Sequence, residues 1–140
     1  MIQRQETLEV RTPGRGLHEV TAEIQRVVAA SGVGTGLCVI LCPHTSASLV
    51  LQENADPSAR RDLLAWLSRL APDGDARYEH DTEGPDDMAA HLRSAVTRST
   101  ESIPVARGRL ALGTWQGLFL AEHRTSPHRR RLVVHVLGEP

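Results

Sequence analysis

Lysine is absent from this 140-residue chain, and all 16 of its basic residues are arginine. Schiff-base chemistry is therefore excluded, because it needs a lysine amine. Cysteine is scarce: Cys38 and Cys42 are the only two, both within the apolar run GLCVILCP. Four residues along a strand span roughly 13 Å, beyond the ~7 Å Cα separation a disulfide tolerates, so both thiols are expected to be reduced and buried. No run approaches the ~20 apolar residues of a membrane-spanning helix, and MIQRQETLEV lacks the apolar segment of a secretion signal, which points to the cytoplasm. The formal net charge of −1 gives no general attraction to nucleic acid or to an anionic membrane. Any recognition of phosphate has to come from a local cluster.

What is present is ordinary for a folded protein: 40% hydrophobic and 24% charged residues. The length suits one domain covering residues 1–140, since single domains commonly run ~100–200 residues. QETLEVRT alternates as a strand and is closed by Pro13 and Gly14. From Leu17 to Ala30, Val20, Ile24, Val27 and Val28 recur at helical spacing, and Gly32 stops the run. TGLCVILCP and ASLVLQEN read as two strands split by HTS. Asp56 and Pro57 form an N-cap and first helical residue for SARRDLLAWLSRLAP, with Leu63, Leu67 and Leu70 on one face. Gly84 and Pro85 begin a further helix that runs through Met88 to about Ser99. Short strands follow, SIPVAR, RLALG, QGLFLAEHR and RRRLVVHVLGE, and close connections make such neighbours antiparallel. The pattern predicts an α+β domain with a mainly antiparallel β-sheet and two or three helices.

Three stretches carry chemistry. In YEHDTEGPDDMAAH, five carboxylates (Glu79, Asp81, Glu83, Asp86, Asp87) gather around two histidines, His80 and His91. On a helix begun at Pro85, Asp87 and His91 share a face, with His80 and Glu83 on the loop leading in. Histidine with carboxylate oxygens binds divalent metals, and the same pairing performs acid–base catalysis near neutral pH. The same residues also read as a hydrophilic turn whose Asp86 and Asp87 complement a helix dipole. In PHTSASLVLQENADP, His44, Thr45 and Ser46 interrupt an apolar run, and Gln52, Glu53, Asn54 and Asp56 crowd the next strand end. His44 gains a metal role only if it meets His80 and His91 in space. In GRLALGTWQGLFLAEHR, Gly113 and Gly117 flank Thr114, Trp115 and Gln116. With only 3% aromatic residues in the chain, Trp115 is either a stacking platform or a core plug, and the residues alone favour the plug. Arg124 can clamp a phosphate, or more simply pair with Glu122 or another carboxylate. HRTSPHRRR reads as a solvated charged turn.

Together, HTSASLVLQENADP, HDTEGPDDMAAH and GRLALGTWQGLFLAEHR resemble the signature segments of the small YjbQ-like family, which carries the label secondary thiamine-phosphate synthase. The resemblance runs from about Leu8 to the C-terminus. It implies a sandwich-like α+β homotrimer with a pocket near the subunit boundary. The family's polar positions fall on His44, Ser46, Glu53, Asn54, Asp56, His80, Glu83, Asp86, Asp87, His91, Trp115 and Gln116. Ala89 stands where a proline is usual and Gln52 where asparagine is, and neither change removes a titratable group. The implied reaction joins a hydroxymethylpyrimidine diphosphate to a thiazole phosphate and releases pyrophosphate. The chain is too short for the ~200 or more residues of a TIM-barrel synthase.

On that reading His44, His80 and His91 hold a divalent ion, zinc or another transition metal, and His80, Glu83 and Asp87 assist the chemistry. Ser46, Asn54, Thr114, Trp115, Gln116 and Arg124 bind the phosphorylated substrate, with Trp115 stacked on the pyrimidine. Two other readings share the site: a metal-dependent hydrolase of a small metabolite, and a non-catalytic trimeric module that binds a metal or small ligand.

Overall fold

A computed structural model describes every residue from Met1 to Pro140. Eight strands and three helices follow in the order β1 (Ile2–Thr12), β2 (Gly16–Glu19), α1 (Thr21–Ser31), β3 (Thr35–Leu41), β4 (Ala47–Glu53), α2 (Pro57–Leu70), α3 (Asp87–Val96), β5 (Thr100–Ala106), β6 (Arg109–Leu110), β7 (Gln116–Glu122) and β8 (His128–Glu139). They form a five-stranded sheet, β1-β8-β3-β5-β6, and a three-stranded sheet, β2-β7-β4, with every pairing antiparallel. The sandwich-like α+β architecture is the one the sequence predicts.

The core fills the space between the sheets. Cys38, Ile40, Ile103, Leu132, Val134 and Val136 come from the five-stranded sheet, Leu49, Leu118 and Leu120 from the three-stranded one, and Ile24, Val27 and Val28 from α1. Strands β5 and β8 contribute alternate residues, so their period-2 sequence pattern is their pattern of burial, whereas β7, central in its sheet, is buried at every position from Gly117 to Glu122. Cys38 and Cys42 are free and buried, and burial pushes both thiols up to about 11, which leaves them protonated and inert.

Several boundaries differ from the sequence reading. Leu17 to Glu19 are strand rather than helix, because β2 satisfies the open edge of β7, and α1 starts only at Thr21. Strand β6 is two residues long, joined to β5 through Arg107 and Gly108, both at positive φ (53° and 74°), a tight hairpin turn. Helix α3 begins at Asp87, not Pro85. It ends at Val96 because Arg98 pairs with Leu49 as an isolated bridge. In α2, Asp56 caps the helix as expected by accepting from the Ser58 N–H, yet of Leu63, Leu67 and Leu70 only Leu67 is fully buried, and Leu70 is exposed. No helix is long and apolar enough to cross a membrane.

Candidate functional site

The register of β4 against β7 organises the polar residues into two groups. Ala47 lies opposite Glu122 and Glu53 opposite Gln116, so Ser46 and Arg124 flank one end of the ladder and Asn54 and Trp115 the other. Seven strand residues separate the ends by roughly 20 Å.

At the first end, α3 brings its N-terminal carboxylates onto the outgoing end of β7. Gly84, with φ +102°, lets the chain turn beneath Arg124. Asp86 does not cap the helix. Its Oδ2 accepts from the Thr125 N–H at 2.9 Å, the Thr125 hydroxyl at 3.1 Å and Arg124 Nε at 3.0 Å. Burial alone would raise the Asp86 pKa, but the Thr125 N–H and the Arg124 guanidinium outweigh it and hold the carboxyl at about 2. Asp87 is buried and divided between partners: Oδ1 accepts from Arg124 Nη1 at 2.8 Å, while Oδ2 lies 3.0 Å from His80 Nε2 and 3.3 Å from His91 Nε2. The ligating atoms of His80, Asp87 and His91 all fall within 4.8 Å of one another.

The tautomer of His91 follows from its other nitrogen. Nδ1 lies 2.9 Å from the Thr45 carbonyl oxygen, which only accepts, so Nδ1 carries the proton. A neutral His91 then turns the Nε2 lone pair toward a carboxylate oxygen 3.3 Å away. Two acceptors in that contact repel unless a proton or a cation lies between them.

His44 stands outside this cluster. Its Nε2 accepts the Arg131 backbone N–H at 2.9 Å, where β3 has ended and β8 would otherwise lack a partner. Burial, with the Arg130 and Arg131 cations adding to it, lowers the pKa of the ring, so His44 stays neutral with its one lone pair already used. The three expected histidines therefore do not converge; the groups close enough to hold an ion are His80, Asp87 and His91.

The expected roles of other residues also change. Arg124 has a partner at every donor nitrogen, namely Asp86, Asp87 and the Glu83 carbonyl, so it orients carboxylates rather than meeting a phosphate. Glu83 takes part through that carbonyl while its side chain is exposed. Ser46 is buried, accepting from Arg130 Nη2 at 3.1 Å. HRTSPHRRR is not a solvated turn throughout, because Arg130 is buried and grips Glu122 through Nε at 2.8 Å and Nη2 at 2.6 Å.

Sequence reasoning missed His123. It lies beneath the site, 1% exposed, with Nε2 2.8 Å from Ser48 Oγ, which is 2.6 Å from Thr97 Oγ1. Thr97 has one proton and donates it to the Arg93 carbonyl at 2.8 Å. Ser48 must therefore donate to Thr97 and accept from His123 Nε2–H, which makes the chain a brace and not a nucleophile with its base. Burial, reinforced by nearby arginines, depresses the His123 pKa to about 4. The only sequence signal was a titratable residue continuing the apolar run GLFLA.

At the far end, Trp115 is 65% exposed, which overturns its reading as a core plug. Gln116 Oε1 accepts from the Gly113 N–H, and Asn54 donates to Glu19. Gly117 permits this approach, since a Cβ there would lie 2.8 Å from Asn54 Cβ. Thr114 is exposed in the same turn.

Two cavities flank the histidines. One of about 510 Å³ beside His91 is lined by His44 and by the hydroxyl residues Thr45, Ser48, Ser94, Thr97 and Ser99. One of about 330 Å³ on the His80 side is bounded by Asp75, Tyr78, Asp81 and Met88.

The sequence profile of the family described as UPF0047 protein YjbQ-like matches residues 6–139. The chain belongs to this YjbQ-like family. It is 55% identical to a UPF0047 protein of Synechocystis sp., over 98% of this chain and 93% of that one. It is 43% identical to the UPF0047 protein YjbQ of Escherichia coli, over 96% and 98%. Among solved structures, a hypothetical protein of Aeropyrum pernix superposes with TM-score 0.88 at 29% identity, covering 97% of this chain and 99% of that one. A conserved hypothetical protein of Thermus thermophilus gives 0.84 at 37% identity, covering 94% and 99%. Family and fold are thereby fixed for this YjbQ-like chain, and these relatives' names state no reaction.

Proposed function

We propose that this protein is a metal-dependent enzyme acting on a small phosphorylated metabolite, with one divalent ion held by His80, Asp87 and His91. The observation that carries the reading is the approach of His91 Nε2, its other nitrogen protonated toward Thr45, to an Asp87 oxygen already 3.0 Å from His80 Nε2. Tetrahedral ligands ~2.0–2.1 Å from a metal sit roughly 3.3–3.4 Å apart, close to these separations. Donors of this kind suit zinc, manganese, iron or nickel. An ion bound there would supply Lewis-acid stabilisation of charge developing on phosphoryl oxygens. The chain's own part is orientation: Arg124 pins Asp87, the Glu83 carbonyl holds Arg124, and the Thr45 carbonyl sets the His91 tautomer.

The synthase reaction attached to the family resemblance fits this scheme on one condition. It breaks the bond from the pyrimidine methylene to the diphosphate oxygen and forms one to the thiazole nitrogen, with Trp115 stacked on the pyrimidine. Trp115, Gln116, Asn54 and Thr114 lie roughly 20 Å from the histidines in one chain. The synthase reading therefore requires that they join the site from a neighbouring subunit of a homotrimer. Hydrolysis needs no such partner, which keeps it as the second reading. Incubating metal-loaded protein with hydroxymethylpyrimidine diphosphate, with and without thiazole phosphate, separates them. Thiamine phosphate with pyrophosphate, formed only when both substrates are present and lost in Asp87→Asn, is the expected outcome. Release without the thiazole indicates hydrolysis. No turnover of any phosphorylated substrate overturns the enzyme reading in favour of a binding module.

A further inference from the structure

A phosphorylated substrate needs cationic donors, and most arginines around the site are already committed. Arg124 is spent on Asp86 and Asp87, Arg130 on Glu122, Arg15 on Asp73, and Arg93 on the Ala71 carbonyl. Arg129 and Arg131 of β8 are different: both are exposed, and neither forms an ion pair, while twelve-residue β8 carries them on the same outward face. Opposite them in β1 lie Arg11, in register with Arg129, and Glu9, in register with Arg131 and 3.3 Å from Arg11, so three arginines share one carboxylate on this face. Like charges placed opposite on neighbouring strands repel, and an anion between them removes that cost.

Arg131 is also tied to the cavity beside His91. His44 accepts its backbone N–H and lines that cavity, and the Arg131 charge contributes to lowering the His44 pKa, so the guanidinium field reaches the ring. The cavity wall between His44 and His91 is made of hydroxyls and small side chains and carries no arginine, aspartate or glutamate. A ligand spanning it meets His91 at one end, an uncharged hydrogen-bonding middle, and at the other end His44, which is bonded to the strand residue Arg131.

We propose that Arg131, with Arg129 beside it, anchors a phosphoryl group at the end of the substrate remote from the His80–Asp87–His91 cluster. Which end of the substrate reacts rests on the metal reading above; the contact between anion and arginine does not. The substrate class is accordingly a small metabolite with an uncharged polar body and a terminal phosphate about one cavity length from the reacting group.

The test uses inorganic pyrophosphate titrated calorimetrically onto metal-stripped protein at low salt. Arg129→Ser with Arg131→Ser is expected to weaken binding by at least ~10-fold, Arg131→Lys by less, since it keeps the charge but loses the planar fork. Arg109→Ser, which removes an exposed charge from β6, is expected to leave affinity unchanged. Arg129→Ser alone should melt no lower than the parent, because the repulsion against Arg11 is relieved, while the double variant also loses the cross-strand neighbour of Glu9 and its fold is checked by circular dichroism. His91→Ala is expected to bind pyrophosphate normally without metal, so loss of metal in that variant bears on the metal reading alone. The proposal is overturned if the parent binds no pyrophosphate, if the double variant binds it as tightly, or if Arg109→Ser weakens binding equally.

Discussion

The two ends of the β4–β7 ladder are built from similar residue types and behave in opposite ways. At the Ser46 end, Asp86, Asp87, Arg93, Glu122, His123 and Arg130 are all buried and each has a partner within the chain: Arg124 for the two aspartates, the Ala71 carbonyl for Arg93, Ser48 for His123, and Glu122 and Arg130 for each other. At the Glu53 end, Asn54, Trp115 and Gln116 sit in or beside a short turn with Trp115 largely open to solvent. A buried polar group needs partners, since leaving it unpaired costs ~1–3 kcal/mol or more, so the first end is fixed by its own chain. The second is free of that demand, because its polar groups face solvent. On the proposed reading, the first end holds the ion within one subunit and the second meets a ring or a neighbouring subunit.

The sharpest way to break this contrast is Arg124→Ala. It strips both Asp86 and Asp87 of their cation, and stability should fall by about 3 kcal/mol in urea unfolding at neutral pH. Acid acts on the same end through His123. Its pKa is about 4 in the folded state against 6.5 for an ordinary histidine, so the unfolded chain binds the extra proton in that window. Stability is then lost as pH falls from 6.5 toward 4, by about 3 kcal/mol in all, and His123→Asn should flatten that stretch of the pH–stability curve. His80→Ala removes a half-exposed ring and should lower stability by less than about 1 kcal/mol while abolishing metal binding. Smallest of all, Trp115→Ala should leave the melting temperature nearly unchanged, within about 0.5 kcal/mol, while weakening binding of a pyrimidine phosphate. A large stability loss in Trp115→Ala would show that the far end is packed after all.

Much of the frame was legible in the sequence. Alternation in QETLEVRT and RRRLVVHVLGE became β1 and β8, the Asp56–Pro57 cap started α2, and the spacing of Asp87 and His91 put both on one face of α3. Strand β2 was not legible, because GLHE has no strand pattern of its own and owes its form to the open edge of β7. His44 was singled out for its residue type, but the sequence carries no sign that β3 would end early and leave the Arg131 N–H for it to satisfy. The choice of Asp86 and Asp87 over Glu122 as partners of Arg124, and of Arg130 as partner of Glu122, depends on long-range placement that spacing does not encode.

Whether His80, Asp87 and His91, without His44, hold one divalent ion is decided by elemental analysis of tag-free protein incubated with zinc, manganese or nickel, beside His44→Ala, His80→Ala and His91→Ala. About one metal per chain is expected in the parent and in His44→Ala, and none in the other two variants. A parent that takes up no metal, or a His91→Ala variant that keeps it, would rule this ligand set out.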